Sequence, residues 1–181
     1  MEGQNLQNKK IAMIIAFSNF RDEEYFIPKK IFEKAGAEVI TVSEKKGTAI
    51  GAGGGDTEVD LTFDELNLDG FDAIVFVGGP GSYKYIEDAK VHQVVRKAEE
   101  KGKIVAAICI APAILAKAGV LEKKNATVWS SPLDKSPIKI LEENGAVYVD
   151  KNVVVDGKII TANGPHAAEE FGEKVLEVLQ S

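Results

Sequence analysis

The chain has 181 residues, 45% of them apolar and 28% charged, which suits one soluble globular domain with a substantial core. Acidic residues outnumber basic ones by 28 to 22, and the net charge of −6 argues against nucleic acid or an anionic membrane surface as partner. No apolar run is long enough to span a bilayer, Met1 to Lys10 lacks the apolar core of a signal peptide, and a lone cysteine excludes an internal disulfide, so a reducing cytoplasm is the expected setting.

Met1 to Lys9 reads as a polar extension. Ile11 to Phe17 is a short apolar run, expected to be a central first strand. A helix should follow with Ile27, Ile31, Phe32 and Ala35 on its buried face and Gly36 as its stop, although Pro28 fits only in a first turn or at a bend. Ala37 to Val42 reads as the second strand, and the glycine-rich stretch Gly47 to Leu61 as a hairpin or excursion. Ala73 to Val77 is the next buried strand. Ser82 is expected to cap the following helix, with Val91, Val94, Val95 and Ala98 facing the core and His92 on the surface. Ile104 to Ile108 leads into Cys109, after which Pro112 fits a first helical turn and Gly119 its stop.

Ser136-Pro137 opens another helix and Asn144-Gly145 closes it. Val147 to Val149 and Val153 to Val155 are strand-like, and Asp156-Gly157 turns the chain into a hairpin with Lys158 to Thr161. Pro165 should begin the last helix, with Phe171, Val175, Val178 and Leu179 as its stripe. Strands alternating with helices imply a mostly parallel central sheet covered by helices on both faces, ending in a C-terminal β-hairpin region. Residues 1–181 read as a single domain, without linker or repeat.

Three features lie where such a sheet places its sites, at the carboxyl edge of the strands. The first is Cys109, at a strand-to-helix bend. A helix start favours a thiolate and a developing oxyanion, whereas an inert buried cysteine is the plainer alternative. The second is Val77-Gly78-Gly79-Pro80-Gly81-Ser82, whose glycine N–H groups can approach a substrate oxygen, or simply form a tight turn. The third is Asp22-Glu23-Glu24, a carboxyl source for the thiol or a solvated helix start. His166 follows Gly164-Pro165 near the same edge and could approach the thiol. One cysteine and two histidines supply too few ligands for a soft-metal site, no phosphate-binding loop is present, and no cofactor is expected.

With these residues placed, the chain resembles the ThiJ/PfpI superfamily, which includes the Parkinson-disease protein deglycase and archaeal intracellular proteases. The resemblance runs from about Lys10 to Leu179 through Glu24-Tyr25-Phe26-Ile27-Pro28, Val77-Gly78-Gly79, Ala107-Ile108-Cys109-Ile110-Ala111-Pro112, Trp129-Ser130-Ser131-Pro132 and Ala162-Asn163-Gly164-Pro165. It implies a flavodoxin-like three-layer sandwich related to glutamine amidotransferases, Cys109 as nucleophile and Glu24 as its hydrogen-bonding partner. It further implies an oxyanion hole of backbone N–H groups around Gly78, Gly79 and Ile110, and a homodimer or higher assembly. The protease-like branch has histidine directly after the cysteine, where this chain has Ile110, and the acid of that branch falls near Tyr83. The histidine of the deglycase branch falls at Ser131.

The reading that follows is a cofactor-free enzyme whose cysteine attacks small reactive carbonyls, in the manner of glyoxalases and deglycases. An intracellular cysteine peptidase acting on peptides is the alternative within the enzyme class. A redox-sensing stress protein or chaperone with an oxidisable cysteine is the alternative outside it.

Overall fold

The computed structural model describes residues 5–181. The chain runs β1 (Lys10–Ile14), β2 (Ser18–Phe20), α1 (Asp22–Lys34), β3 (Glu38–Ser43), β4 (Gly47–Gly51), β5 (Asp56–Val59), β6 (Leu61–Thr62), β7 (Ala73–Phe76), α2 (Ala89–Glu100), β8 (Ile104–Ile108), α3 (Pro112–Lys117), β9 (Asn125–Ala126), α4 (Ser136–Glu143), β10 (Val147–Tyr148), β11 (Val153–Asp156), β12 (Ile159–Ala162) and α5 (Ala168–Gln180). Short 3₁₀ turns at Pro80–Tyr85 and Pro165–Ala167 follow β7 and β12.

The central sheet has seven strands in the order β11-β12-β8-β7-β1-β3-β6. All its pairs are parallel except β11 with β12, the hairpin expected at Asp156-Gly157. Successive side chains of a strand point to opposite faces, and β1 shows this directly. Ile11, Met13 and Ile15 enter one apolar layer with Phe32 of α1 and Phe171 and Val175 of α5. Ala12, Ile14 and Ala16 enter the other, with Val91 and Val95 of α2, Leu115 of α3 and Leu141 of α4. The strands are therefore apolar on both sides, as a sheet covered by helices on both faces requires. A fully buried ring such as Phe32 contributes roughly 1.5–3 kcal/mol.

Several expectations change in detail. The buried face of α1 is Glu24, Tyr25, Pro28 and Phe32, while Ile27 is exposed, because a polar residue takes the core-facing place in the first turn. Pro28 lies inside α1 rather than in its first turn. Ser82 does not cap α2. It is buried in the preceding 3₁₀ turn with its hydroxyl donating to the Gly79 carbonyl at 2.8 Å, and Asp88 caps α2 through the Lys90 and Val91 N–H groups. The N-terminal extension is not wholly polar in its packing. Leu6 is buried and its N–H donates to the Ala35 carbonyl, whereas Met1 to Gln4 lie outside the described residues.

The glycine-rich stretch forms the antiparallel β4–β5 hairpin, which joins β2 in a three-stranded side sheet. Its glycines are explained by Asp22. A Cβ at Gly51 or at Gly55 would sit 2.5 Å from the Asp22 carboxylate, which accepts the Gly53 and Gly55 N–H groups, each at 2.7 Å. The tightest backbone approach is at Gly81, where a Cβ would lie 1.9 Å from the Ser18 carbonyl oxygen.

Gly81→Ala should therefore lower the urea midpoint by an amount worth about 1–3 kcal/mol or more, since neither backbone segment can yield cheaply. Gly70→Ala, which meets nothing within 4 Å, should change stability by no more than about 1 kcal/mol. Equal midpoints for the two variants would contradict the crowding.

Candidate active site

β1 is flanked by β3 on one side and β7 on the other, so the strand order reverses at β1 and opens a crevice at the carboxyl edge. The chain leaves β7 into Gly78 and leaves β8 into Cys109, and α1 brings Glu24 over the same edge. A Cβ at Gly78 would lie 2.7 Å from both the Cys109 Cβ and a Glu24 carboxylate oxygen, so only glycine lets the two side chains meet there.

Cys109 has φ +65°, a left-handed conformation that costs a non-glycine residue about 1–2 kcal/mol. Its backbone is held on both sides: the N–H donates to the Ala162 carbonyl at 2.9 Å, and the carbonyl accepts the Trp129 N–H at 2.8 Å. The bend turns the side chain away from the sheet and out to the crevice floor. Strain held by surrounding structure at such a position is the pattern of a functional residue.

The three neighbouring acids have three fates. Asp22 clamps the β4–β5 hairpin. Glu23 is exposed. Glu24 is 0% exposed; one carboxylate oxygen accepts the Gly78 N–H at 3.0 Å, the other is buried without a hydrogen-bond partner among the described residues, and Cys109 lies beside the carboxyl. Burial pushes the Glu24 pKa up from 4.5 to about 7, against the neighbouring Cys109 thiol, the Gly78 hydrogen bond and the Arg21 charge, which lower it.

The thiol responds to its partner. Burial, and then the adjacent Glu24 carboxylate, push the Cys109 thiol up; the N–H groups of Ile110 and Gly79 act in the opposite direction. A helix start alone does not depress this thiol, contrary to the sequence expectation, because α3 is a single short helix and the buried carboxylate outweighs it. A proton on Glu24 reverses the sign: the carboxyl then donates to a thiolate that the two N–H groups also hold. The two side chains thus form one acid–thiol unit.

Gly78 is corrected as an oxyanion donor, since its N–H is already given to Glu24. Gly79 and Ile110 are the N–H groups that face the sulfur. Tyr83 stands half-exposed at the rim of the crevice. Ser131 and His166 do not line it. The Ser131 hydroxyl accepts the Asp134 N–H at 3.0 Å, and His166 is exposed with Nε2 3.3 Å from the Asn152 side-chain oxygen. His92 is half-buried, its Nε2 2.6 Å from the Ile86 carbonyl. Among the described residues no group of three or more His, Cys, Asp or Glu is arranged to hold a metal ion.

The crevice encloses about 230 Å³ and is lined by Arg21, Gly79, Pro80, Tyr83, Cys109, Ile110, Trp129 and Pro165. A larger hollow of about 290 Å³ at the opposite edge of the sheet is lined by Lys9, Lys101, Lys103 and Lys158 and lies away from Cys109. Arg21, Pro80, Trp129 and Pro165 were not singled out as site residues from the sequence. Trp129 and Pro165 do stand in the Trp129–Pro132 and Ala162–Pro165 motifs, and Arg21 directly precedes the acidic cluster. Its place in the crevice comes from a contact distant in sequence, the Arg21 N–H donating to the Gly78 carbonyl at 3.0 Å.

Two outcomes follow from the acid–thiol unit. A carboxyl with a folded-state pKa of about 7 against 4.5 holds its proton more tightly when folded, so its contribution to stability is full below pH 4.5 and is lost as pH rises through 7. Glu24→Gln should remove this loss, of order 2–4 kcal/mol, and flatten denaturation midpoints between pH 4.5 and 8. Because burial and the Glu24 carboxylate raise the thiol, alkylation of Cys109 by iodoacetamide should rise at a pH above that of a free cysteine, and Glu24→Gln should move that rise to lower pH. A rate that climbs through the free-thiol value of about 8.5 in both proteins would show an uncoupled cysteine.

A model of the DJ-1/PfpI family matches residues 9–178. An uncharacterized protein of Methanocaldococcus jannaschii is 42% identical over 178 residues, covering 98% of this chain and 85% of that protein. The deglycase PfpI of Pyrococcus furiosus is 35% identical over 153 residues, 84% of this chain and 89% of its own length. The crystal structure of a ThiJ/PfpI domain protein from Brachyspira murdochii superimposes with a TM-score of 0.89 at 38% identity, covering 94% of this chain and 95% of that one. With its acid–thiol crevice at the carboxyl edge of a mostly parallel sheet, the chain belongs to the DJ-1/PfpI family.

Proposed function

We propose that this protein is a cofactor-independent enzyme that uses Cys109 to act on small reactive carbonyls, in the manner of a glyoxalase or deglycase. The observation that carries the reading is the contact between Cys109 and a fully buried Glu24 beneath a small crevice. Its relative in Pyrococcus furiosus is named a deglycase. The same reading places the protein in the cytoplasm, with a free thiol and small-molecule partners, and family membership favours a homodimer or higher homo-oligomer. No helix among the described residues is long and apolar enough to cross a membrane.

In this mechanism the thiolate adds to an aldehyde carbon, the C=O π pair passes to oxygen, and Glu24 supplies the proton that makes the hemithioacetal. The N–H groups of Gly79 and Ile110 stabilise the oxygen while it is charged. With a 2-oxoaldehyde, the Glu24 carboxylate then removes the C1 proton and returns a proton to C2, giving a thioester. Water hydrolyses the thioester to a 2-hydroxy acid and restores the thiol. Methylglyoxal plus water becomes lactate, without any oxidant or reductant.

Peptide hydrolysis of the cysteine–histidine kind lacks its histidine at this site, because Ile110 follows the cysteine and neither histidine lines the crevice. A second role, as a peroxide sensor, is favoured by the same Glu24–Cys109 contact, since a protonated carboxyl and two N–H groups can hold the oxygens of a cysteine sulfinate.

Methylglyoxal turnover should be abolished in Cys109→Ser and fall on the order of 10²–10⁴-fold in Glu24→Gln, the usual contribution of a positioned acid–base group. Turnover retained in Cys109→Ser would refute the nucleophile. Graded peroxide followed by intact mass measurement should show two added oxygens in wild type and a depleted or over-oxidised product in Glu24→Ala. Identical oxidation profiles would remove Glu24 from the sulfur.

A further inference from the structure

Arg21 is the charged side chain lining the Cys109 crevice, and none of its guanidinium atoms forms a hydrogen bond or ion pair with any described residue. Its Nε is buried and unpartnered. A planar fork of donors left free in a largely apolar setting, with Trp129, Ile110 and Pro165 on the surrounding walls, is poised to take a planar anion. The backbone fixes where that fork begins. The Arg21 N–H donates to the Gly78 carbonyl at 3.0 Å, and a Cβ at Gly79 would lie 2.4 Å from the Arg21 nitrogen. Arg21 is thereby packed against the same Gly78-Gly79 turn whose second N–H faces the sulfur. No acidic side chain lines the crevice; Glu24, in the floor, feels the Arg21 charge, with one oxygen accepting the Gly78 N–H and no hydrogen bond to the guanidinium.

We propose that Arg21 makes this crevice selective for carbonyl compounds that carry a carboxylate beside the carbonyl group, the class of 2-oxo acids. The inference rests on Cys109 being the carbonyl-binding group. The carboxylate pairs with the guanidinium while the carbonyl carbon lies over the sulfur. A volume of about 230 Å³ suits a compact carbonyl of a few carbons and not a folded peptide segment. With the simplest member, glyoxylate, the thiolate forms one S–C bond, the π pair moves to oxygen, and oxygen takes the proton held by the Glu24–Cys109 pair. With no ketone next to the aldehyde for the onward proton transfer, the adduct stops at a reversible hemithioacetal. Glyoxylate is therefore a probe of binding.

The chain has one tryptophan, Trp129, and it lines the crevice, so its fluorescence reports occupancy directly. Glyoxylate and glycolaldehyde, a charged and a neutral aldehyde of the same carbon count, would be titrated by this signal and by protection of Cys109 from iodoacetamide. Wild type should bind glyoxylate about 10- to 100-fold more tightly than glycolaldehyde, the preference expected of charge-assisted hydrogen bonds. Arg21→Gln should weaken glyoxylate binding far more than glycolaldehyde binding and so abolish most of that preference, and Arg21→Lys should restore part of it. Equal affinity for the two aldehydes in wild type, or a preference unchanged in Arg21→Gln, overturns the role of Arg21 and leaves the carbonyl reading of Cys109 standing. Protection by neither aldehyde overturns both.

Discussion

A carboxyl group with no access to water sits against a thiol at the edge of the sheet, and much of the architecture around it answers to that placement. Glu24 takes a core-facing position of α1 that an apolar residue would otherwise fill. Its burial is tolerable because one oxygen receives the Gly78 N–H and because the group can hold a proton at neutral pH. Gly78 must lack a side chain for the contact to exist, and Cys109 must adopt a left-handed backbone to reach it. The costs of a buried acid, a strained cysteine and an obligate glycine fall on one spot, which is the usual signature of a site kept for chemistry rather than for stability.

The frame carrying this spot was largely legible in the sequence. Apolar runs such as Ala73 to Val77 and Ile104 to Ile108 could only be strands buried on both faces, and the helix starts and stops at Pro112, Gly119, Ser136 and Asn144 carry local signals. What periodicity missed came from side chains with distant partners. The spacing of Ile27 from Ile31 fits a buried helix face, but Glu24 and Pro28 hold that face instead. Ser82 has the chemistry of a cap and spends it on the Gly79 carbonyl.

The site shows the same division. Cys109, Glu24 and the Gly-Gly turn each carry a local or motif signal. The split of Asp22, Glu23 and Glu24 into clamp, surface and buried acid depends on where the β4–β5 hairpin and β7 fall, and three adjacent carboxylates do not record that. Ser131 and His166 had suitable chemistry and suitable neighbours in sequence, yet their polar atoms are engaged by Asp134 and Asn152. Arg21 went unread for the converse reason: an arginine before an acidic run looks like a solvated charge until its N–H is seen on the Gly78 carbonyl.

The backbone at Cys109 has a further consequence for motion. Its N–H is bonded to Ala162 on β12 and its carbonyl to Trp129, so the peptide units on both sides of the strained residue are tied to separate parts of the chain. Local fluctuation cannot release that amide without separating the end of β8 from the end of β12. In hydrogen exchange the Cys109 amide belongs with the slowest group, opening only when the central sheet opens. Catalytic groups on mobile loops commonly acquire their geometry when substrate arrives. Here Cys109 is already held by backbone bonds on both sides, while the rim of the crevice at Tyr83 is half-exposed.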